Sequence, residues 1–437
     1  MSDEMSSGRI LKTRLRNGLE VRLKEIHTTP IISCWVWYRV GSRNERAGYT
    51  GISHWVEHMQ FKGTPSFPGG ALDRVIPRVG GTSPNAFTWL DYTAYFVTMP
   101  ADQIGLAMEI EADRMVNSLF DPKEVESERT VIISEREGDE NEPTFRLAEE
   151  VRAAAFRVHS YHHQIIGDKT DLERMSREDL YNHYRHYYVS GNAILAMAGD
   201  FRTSTMIKRI RNFFSELPTT PKPEFMSRPE PPQQGERRVE VEGPGETPFL
   251  EIAYRAPQGT HPDFIPLRVM DSVLSGPSSL NIFGSGISNK TSRLYRRLVE
   301  GELAASVVGG LAATIDPFLY TFRITVRPER DPEEVLAAFD EEITRLVESA
   351  VRPEEIAKAI KQARALFAYG SESITNQAFW LGYSEIFADY SWFENYLDRI
   401  AEVTADQVLE VARKYFSTSS RVIGTYRPMN MNGRSND

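Results

Sequence analysis

His54 and His58 stand four residues apart in the segment Gly48–Thr64, GYTGISHWVEHMQFKGT, with Glu57 immediately before the second histidine. If this segment is helical, residues four apart share a face, so both imidazoles can grip a single ion. Neutral imidazole suits Zn2+. Glu57 then lies beside the ion without having to bind it, and its carboxylate can take a proton from a water that the ion has made acidic. This H-x-x-E-H order reverses the H-E-x-x-H order found in one class of zinc peptidases. Histidines at this spacing also occur on helices that hold no metal, and a hydrolytic zinc site needs a third protein ligand and one open position. The helix expected over Lys123–Glu140 contains SERTVIISEREGDE and offers many carboxylates, among which metal chemistry by itself selects none.

The elements that must position these residues are legible as an alternation. Glu20–Lys24 and Ile31–Arg39 read as strands, rich in β-branched and aromatic residues. Gly51–Phe61 reads as a helix, Tyr92–Thr98 as a strand, and Asp102–Asn117 and Lys123–Glu140 as helices, with Pro122 at a helix start. The fold class expected is α+β. The 437 residues suit more than one core. The proline-rich stretch Leu217–Gly245 reads as an extended linker, dividing the chain into domains 1–216 and 246–437. The two parts look like diverged copies. Asp179–Val189 matches Asp406–Phe416, Met108–Val116 matches Phe339–Val347, and Pro122–Glu128 matches Pro353–Ala359, in the same order and at nearly constant spacing. Two homologous α/β sandwich domains are therefore expected, each a mixed or antiparallel sheet covered by helices.

Composition removes several classes of function. A net charge of −10 with no long basic run disfavours nucleic-acid binding. The one cysteine, Cys34, lies in the apolar run Ile31–Val40 and reads as a core residue. No apolar run is long enough for a membrane span, and Met1–Arg9 has neither a signal-peptide nor a transit pattern. A cytoplasmic chain is expected, or one that has shed a leader.

The metal-binding segment resembles the inverzincin peptidases, peptidase family M16, which includes pitrilysin, insulin-degrading enzyme and the mitochondrial processing peptidase. The match is to the half-length bacterial type of subunit. In that family a glutamate in a pattern like E-R-x-V-I-x-x-E is the third metal ligand. Here Glu128–Glu135 reads ERTVIISE, and 76 residues lie between His58 and Glu135. The resemblance implies one Zn2+ per chain, held by His54, His58 and Glu135, with Glu57 as catalytic base and Glu128 as a supporting acid. It extends over nearly the whole chain, including NGLEVRLKE, WYRVGSRNE, HSYHHQIIG and YYVSGNAILAMAGDF. Asn85, Ala86 and Phe87 resemble the edge strand that binds substrate by adding a peptide to the sheet. His162 and His163 read as loop-packing residues.

Two departures bear on activity. The second domain has no metal site: Leu366 and Ala359 stand where Glu135 and Glu128 would repeat, and Asp263–Leu274 has no histidine–glutamate pair. The family's second domain also carries an arginine and a tyrosine that stabilise the tetrahedral intermediate. In this chain Leu298 and Ala305 stand at those positions. Loss of such a donor costs about 10²–10³ in rate. The expectation is a zinc endopeptidase acting on oligopeptides or unfolded segments, as the catalytic subunit of a heterodimer whose partner supplies the Arg/Tyr pair. Self-pairing as a homodimer is the second assembly, and a non-catalytic structural or peptide-binding subunit the alternative function. Gly284–Thr291 approaches a phosphate-binding loop, but Asn289 replaces the glycine that precedes its lysine. Ser275–Ser292 instead resembles the glycine-rich loop of the family's non-catalytic subunits, which makes it a candidate for substrate capture.

Overall fold

The run Ile31–Tyr38, IISCWVWY, is apolar on both faces, the pattern of a strand with neighbours on each side and helices above and below. The computed structural model, described over residues 10–225, 228–280 and 287–429, places it so. In the first sheet, β1 is Ile10–Arg14, β2 Glu20–Glu25, β3 Ile31–Tyr38, β4 Asn85–Thr88, β5 Thr93–Pro100 and β6 Ala193–Gly199. The order is β1-β2-β6-β3-β5-β4, antiparallel except for the parallel pair β2–β6. In the second sheet, β7 is Arg237–Pro244, β8 Phe249–Ala256, β9 Ala304–Leu311, β10 Phe318–Val326 and β11 Arg421–Met429. Its order is β7-β11-β8-β10-β9, again with one parallel pair, β7–β11. From β2 and from β7 onward the two topologies coincide, so the chain carries a duplicated α/β unit.

Local chemistry is duplicated as well. Arg177–Tyr187 and Ala405–Tyr415 both begin with a capping box, Ser176 with Asp179 and Thr404 with Gln407. Each helix leads through a short 3-10 turn into the last strand of its sheet.

The compact units do not follow chain order. One comprises Met1–Arg136, His163–Ser227 and Ser371–Phe393; the other comprises Glu137–His162, Arg228–Gly370 and Glu394–Asp437. The division expected from the sequence, at 1–216, 217–245 and 246–437, follows chain order instead. Helix Ile374–Phe387, from the second half of the sequence, packs on β2, β3 and β6, while helix Pro143–Ala155, from the first half, packs on β7, β8 and β11. Each half thus contributes a helix to the other half's sheet. The expected linker also ends in a strand, because β7 pairs along its whole length with β11.

In the first unit the odd-numbered aromatics of β3 form a slab. Trp35 stacks on Phe96 at 4.1 Å and on Trp37 at 5.3 Å, and Phe379 of the exchanged helix meets both edge-on. Such pairs add about 0.5–1.5 kcal/mol each beyond the area they bury. Cys34 points into the opposite layer, fully buried, and burial pushes its thiol well above the usual range, which fits a core residue. Of the glycine-rich segment Ser275–Ser292, residues 281–286 lie outside the described residues, as does the N-terminal stretch 1–9.

Candidate metal centre

Helix Ile52–Met59 is amphipathic, with Trp55, Val56 and Met59 buried. Its helical repeat leaves His54 and His58 side by side, with ring centroids 4.6 Å apart. Helix Pro122–Glu140 brings Glu128 and Glu135 to the same place; seven residues is close to two turns, so both carboxylates share a face. Ligating atoms of His54, His58 and Glu135 lie within 4.8 Å of one another, and no other such group of three occurs among the described residues. His58 Nε2 and Glu135 Oε2 are 3.8 Å apart, a gap that an ion bonded at about 2.0–2.2 Å to each would bridge.

Electrostatics favour the neutral ligand form of His54 and orient His58. Burial, and then the neighbouring His58, lowers the pKa of His54 to about 3, so the ring is neutral. Its Nδ1 is buried and finds no hydrogen-bond partner among the described residues. His58 Nδ1 lies 2.8 Å from Glu128 Oε1. An ionised carboxylate only accepts, so Nδ1 carries the proton and Nε2 is left free to bind. Burial works against a charged His58, but the Glu128 bond and the nearby carboxylates outweigh it and hold its pKa up. Burial likewise opposes charge on Glu128, yet His58 and the ion-paired Lys62 keep this carboxyl below its usual range. With the His58 ring deprotonated at Nε2, as metal binding requires, two imidazole nitrogens and a carboxylate oxygen would form a zinc donor set with one position left open.

Glu57 is only 7% exposed and accepts a 2.6 Å hydrogen bond from Thr88 Oγ1. Burial, only partly offset by Thr88 and His58, raises its pKa to about 7. A carboxyl poised there can both take and give a proton near neutrality. Thr88 ends β4, which pairs with β5 alone among the described strands. Asn85 is exposed, and the Ala86 N–H donates to the Asn85 side chain rather than across to β5. The Phe87 ring packs against Trp35, Trp37, Tyr92 and Phe96, so its side chain belongs to the aromatic slab.

Two residues of the site, Thr88 and Lys62, carry no signal in the sequence that would give them a role. Thr88 is only the last letter of the edge strand, and Lys62 is the residue four after His58, beyond the helix end. In the second unit Leu298 is fully buried and Ala305 is exposed on β9. The nearby Arg293 is committed to Glu355 at 2.8 Å and Arg297 to Glu341 at 2.7 Å. His163 is buried against Glu45, with Nε2 2.8 Å from Oε2.

Comparison with known proteins gives the same frame. A family model described as insulinase, peptidase family M16, matches residues 20–169, and one described as the peptidase M16 inactive domain matches residues 174–363. The chain is 27% identical over 433 residues to the zinc protease PqqE of Helicobacter pylori, covering 95% of this chain and 92% of that protein. It is 27% identical over 299 residues to a probable mitochondrial-processing peptidase subunit beta of Arabidopsis thaliana, covering 68% of this chain and 55% of that one. A crystal structure of a protease from Helicobacter pylori superimposes with a TM-score of 0.90 at 24% identity, over 97% of this chain and all of that one. None of the described helices is long and apolar enough to cross a membrane.

Proposed function

The chain belongs to the insulinase family, peptidase family M16, and from that premise we propose that it is a zinc endopeptidase for extended oligopeptides or unfolded segments. His54, His58 and Glu135 hold the ion, Glu57 is the general base, and Glu128 orients His58. The observation that carries this is the convergence of two imidazoles and a carboxylate within 4.8 Å, beside a second, buried acid, Glu57. Bound zinc supplies Lewis acidity toward the substrate carbonyl and the attacking water.

The protein's own groups do the rest. Glu57 takes a proton from the attacking water and returns it to the leaving amide nitrogen, and the Thr88 hydroxyl keeps its carboxylate aimed. Glu128 fixes the His58 tautomer. A substrate backbone pairs with the outer edge of β4, near Asn85, Ala86 and Phe87; this recognition depends little on side chains.

The chain acts as the catalytic subunit of a heterodimer. Leu298 and Ala305 cannot donate to an oxyanion, and Arg293 and Arg297 are held in ion pairs. The test is peptide cleavage by the chain alone and with a related subunit that carries the Arg/Tyr pair. Cleavage should be slow alone and rise about 10²–10³-fold with the partner, and a Glu57→Gln variant should lower it about 10²–10⁴-fold. Full rates from the purified monomer would refute the heterodimer, and a wild-type rate in E57Q would refute the base.

A further inference from the structure

The ligands come from two helices far apart in sequence, and both helices grip the same third segment. On the His54 side the grip is backbone against backbone. Gly51, at the helix N-terminus, has φ +85°, and Gly167 has φ +84°. A Cβ on Gly51 would stand 2.4 Å from the Ile166 carbonyl oxygen, and one on Gly167 would stand 2.3 Å from that of Thr50. Around this contact, Thr50 N and Oγ1 donate to Asp171 Oδ2 at 3.0 and 2.7 Å, and Asp168 N donates to Thr50 Oγ1 at 2.8 Å. Glu45 accepts from Gly51 N at 2.8 Å and Ser53 N at 2.9 Å while it also meets His163. That carboxylate caps the first turn of the helix and ties it to the same segment.

On the other helix the grip is made by two arginines seven residues apart, on one face. Arg136 Nη1 donates to the Gly167 carbonyl at 2.8 Å. Arg129 donates to the carbonyls of Leu172 and, at 2.9 Å, Met175, and its guanidinium lies 4.8 Å from the centre of the Trp55 ring. Glu135 directly precedes Arg136. Its side chain is 45% exposed, and among the described residues it has no hydrogen-bond donor to steer it, unlike Glu57 and Glu128. Its position is therefore set by its backbone.

We propose that the segment 163–171 is a spacer that sets the distance between Glu135 and the two histidines, with Arg136 as the positioning residue that fixes Glu135 through the Gly167 carbonyl. The proposal rests on the reading of those three residues as metal ligands. A buried guanidinium bonded to the Gly167 carbonyl, in a segment that itself abuts the start of the His54 helix, transmits placement from one helix to the other.

The test is zinc affinity of the purified full chain, by competition with a chromophoric chelator, for wild type, Arg136→Met, Glu135→Gln and the double variant. R136M should bind zinc about 10–100-fold more weakly. It should add no further loss in the E135Q background, because the ligand it places is already gone. Arg136→Lys, which keeps a donor toward Gly167, should recover part of the affinity. Wild-type affinity in R136M, or an equal loss with and without Glu135, overturns the proposal. If R136M does not fold, Thr50→Val enters the same four-way comparison from the other side of the contact: a loss confined to the Glu135 background supports the spacer, and no loss or an equal loss overturns it. Failure of the ligand assignment itself looks different: E135Q would then bind zinc as tightly as wild type.

Discussion

Removing the carboxylate of Glu128 tests how far the environment of His58 governs metal binding. Glu128 is 4% exposed, holds His58 Nδ1 at 2.8 Å and carries the Lys62 ion pair. A hydrogen bond to a charged group is worth about 1.5–3 kcal/mol. Spread over the metal-bound state, that corresponds to roughly a 10–100-fold loss of affinity, the range known for such outer partners. Two substitutions separate charge from geometry. Glu128→Gln keeps an oxygen that can accept from Nδ1 and should sit at the low end, about 10-fold. Glu128→Ala frees the ring to turn, leaves Lys62 without its partner and should sit at the high end, about 100-fold. The assay is chelator competition on the apo-protein, with circular dichroism to confirm the fold. E128A that binds zinc as tightly as wild type, with the fold intact, would refute the argument that His58 depends on this carboxylate.

Further outcomes follow from the same contacts. Glu57→Gln should retain zinc yet lose about 10²–10⁴ in kcat, measured by peptide hydrolysis beside metal content, because only the proton transfer is removed. Ala86→Pro deletes an N–H that β5 does not use, so KM for an extended peptide should rise while zinc affinity stays constant; an unchanged KM would argue against strand addition. Glu355 shows the acid dependence of stability. The Arg293 hydrogen bonds, acting against burial, push its pKa down to about 2. Its contribution is therefore complete above the ordinary carboxyl range and fades as pH falls from about 4.5 to about 2. With allowance for solvent screening this amounts to about 1–2 kcal/mol. Urea denaturation should show Glu355→Gln less stable than wild type at pH 7 and nearly equal to it at pH 2.

Much of this was legible in the chain because it is local. The four-residue spacing of His54 and His58, the β-branched and aromatic runs of β2, β3 and β5, and the proline at residue 122 each specify structure within a few neighbours. The helix carrying Glu135 was legible too, but not which of its acids would meet the histidines, since that depends on how two helices pack. Family resemblance supplied Glu135, and the gathering of His54, His58 and Glu135 is seen only once the chain is folded. Long-range contacts account for what was missed. Thr88 reaches Glu57 from a strand edge, Lys62 reaches Glu128 from beyond a helix end, and Arg136 reaches a carbonyl in a distant loop. The exchange of Pro143–Ala155 and Ile374–Phe387 between sheets left no local mark, because an apolar helix face does not name the sheet it will cover. The proline-rich stretch Leu217–Gly245 hid β7 at its end, where the alternation of RRVEVE spans only six residues.

Anomalous diffraction at the zinc absorption edge, from crystals of the full chain grown with zinc, addresses the metal centre most directly. One peak per chain is expected, bonded to His54, His58 and Glu135 at about 2.0–2.2 Å and leaving a position open beside Glu57. A zinc-loaded crystal with its peak elsewhere, or with Glu135 turned away from the ion, would contradict the assignment.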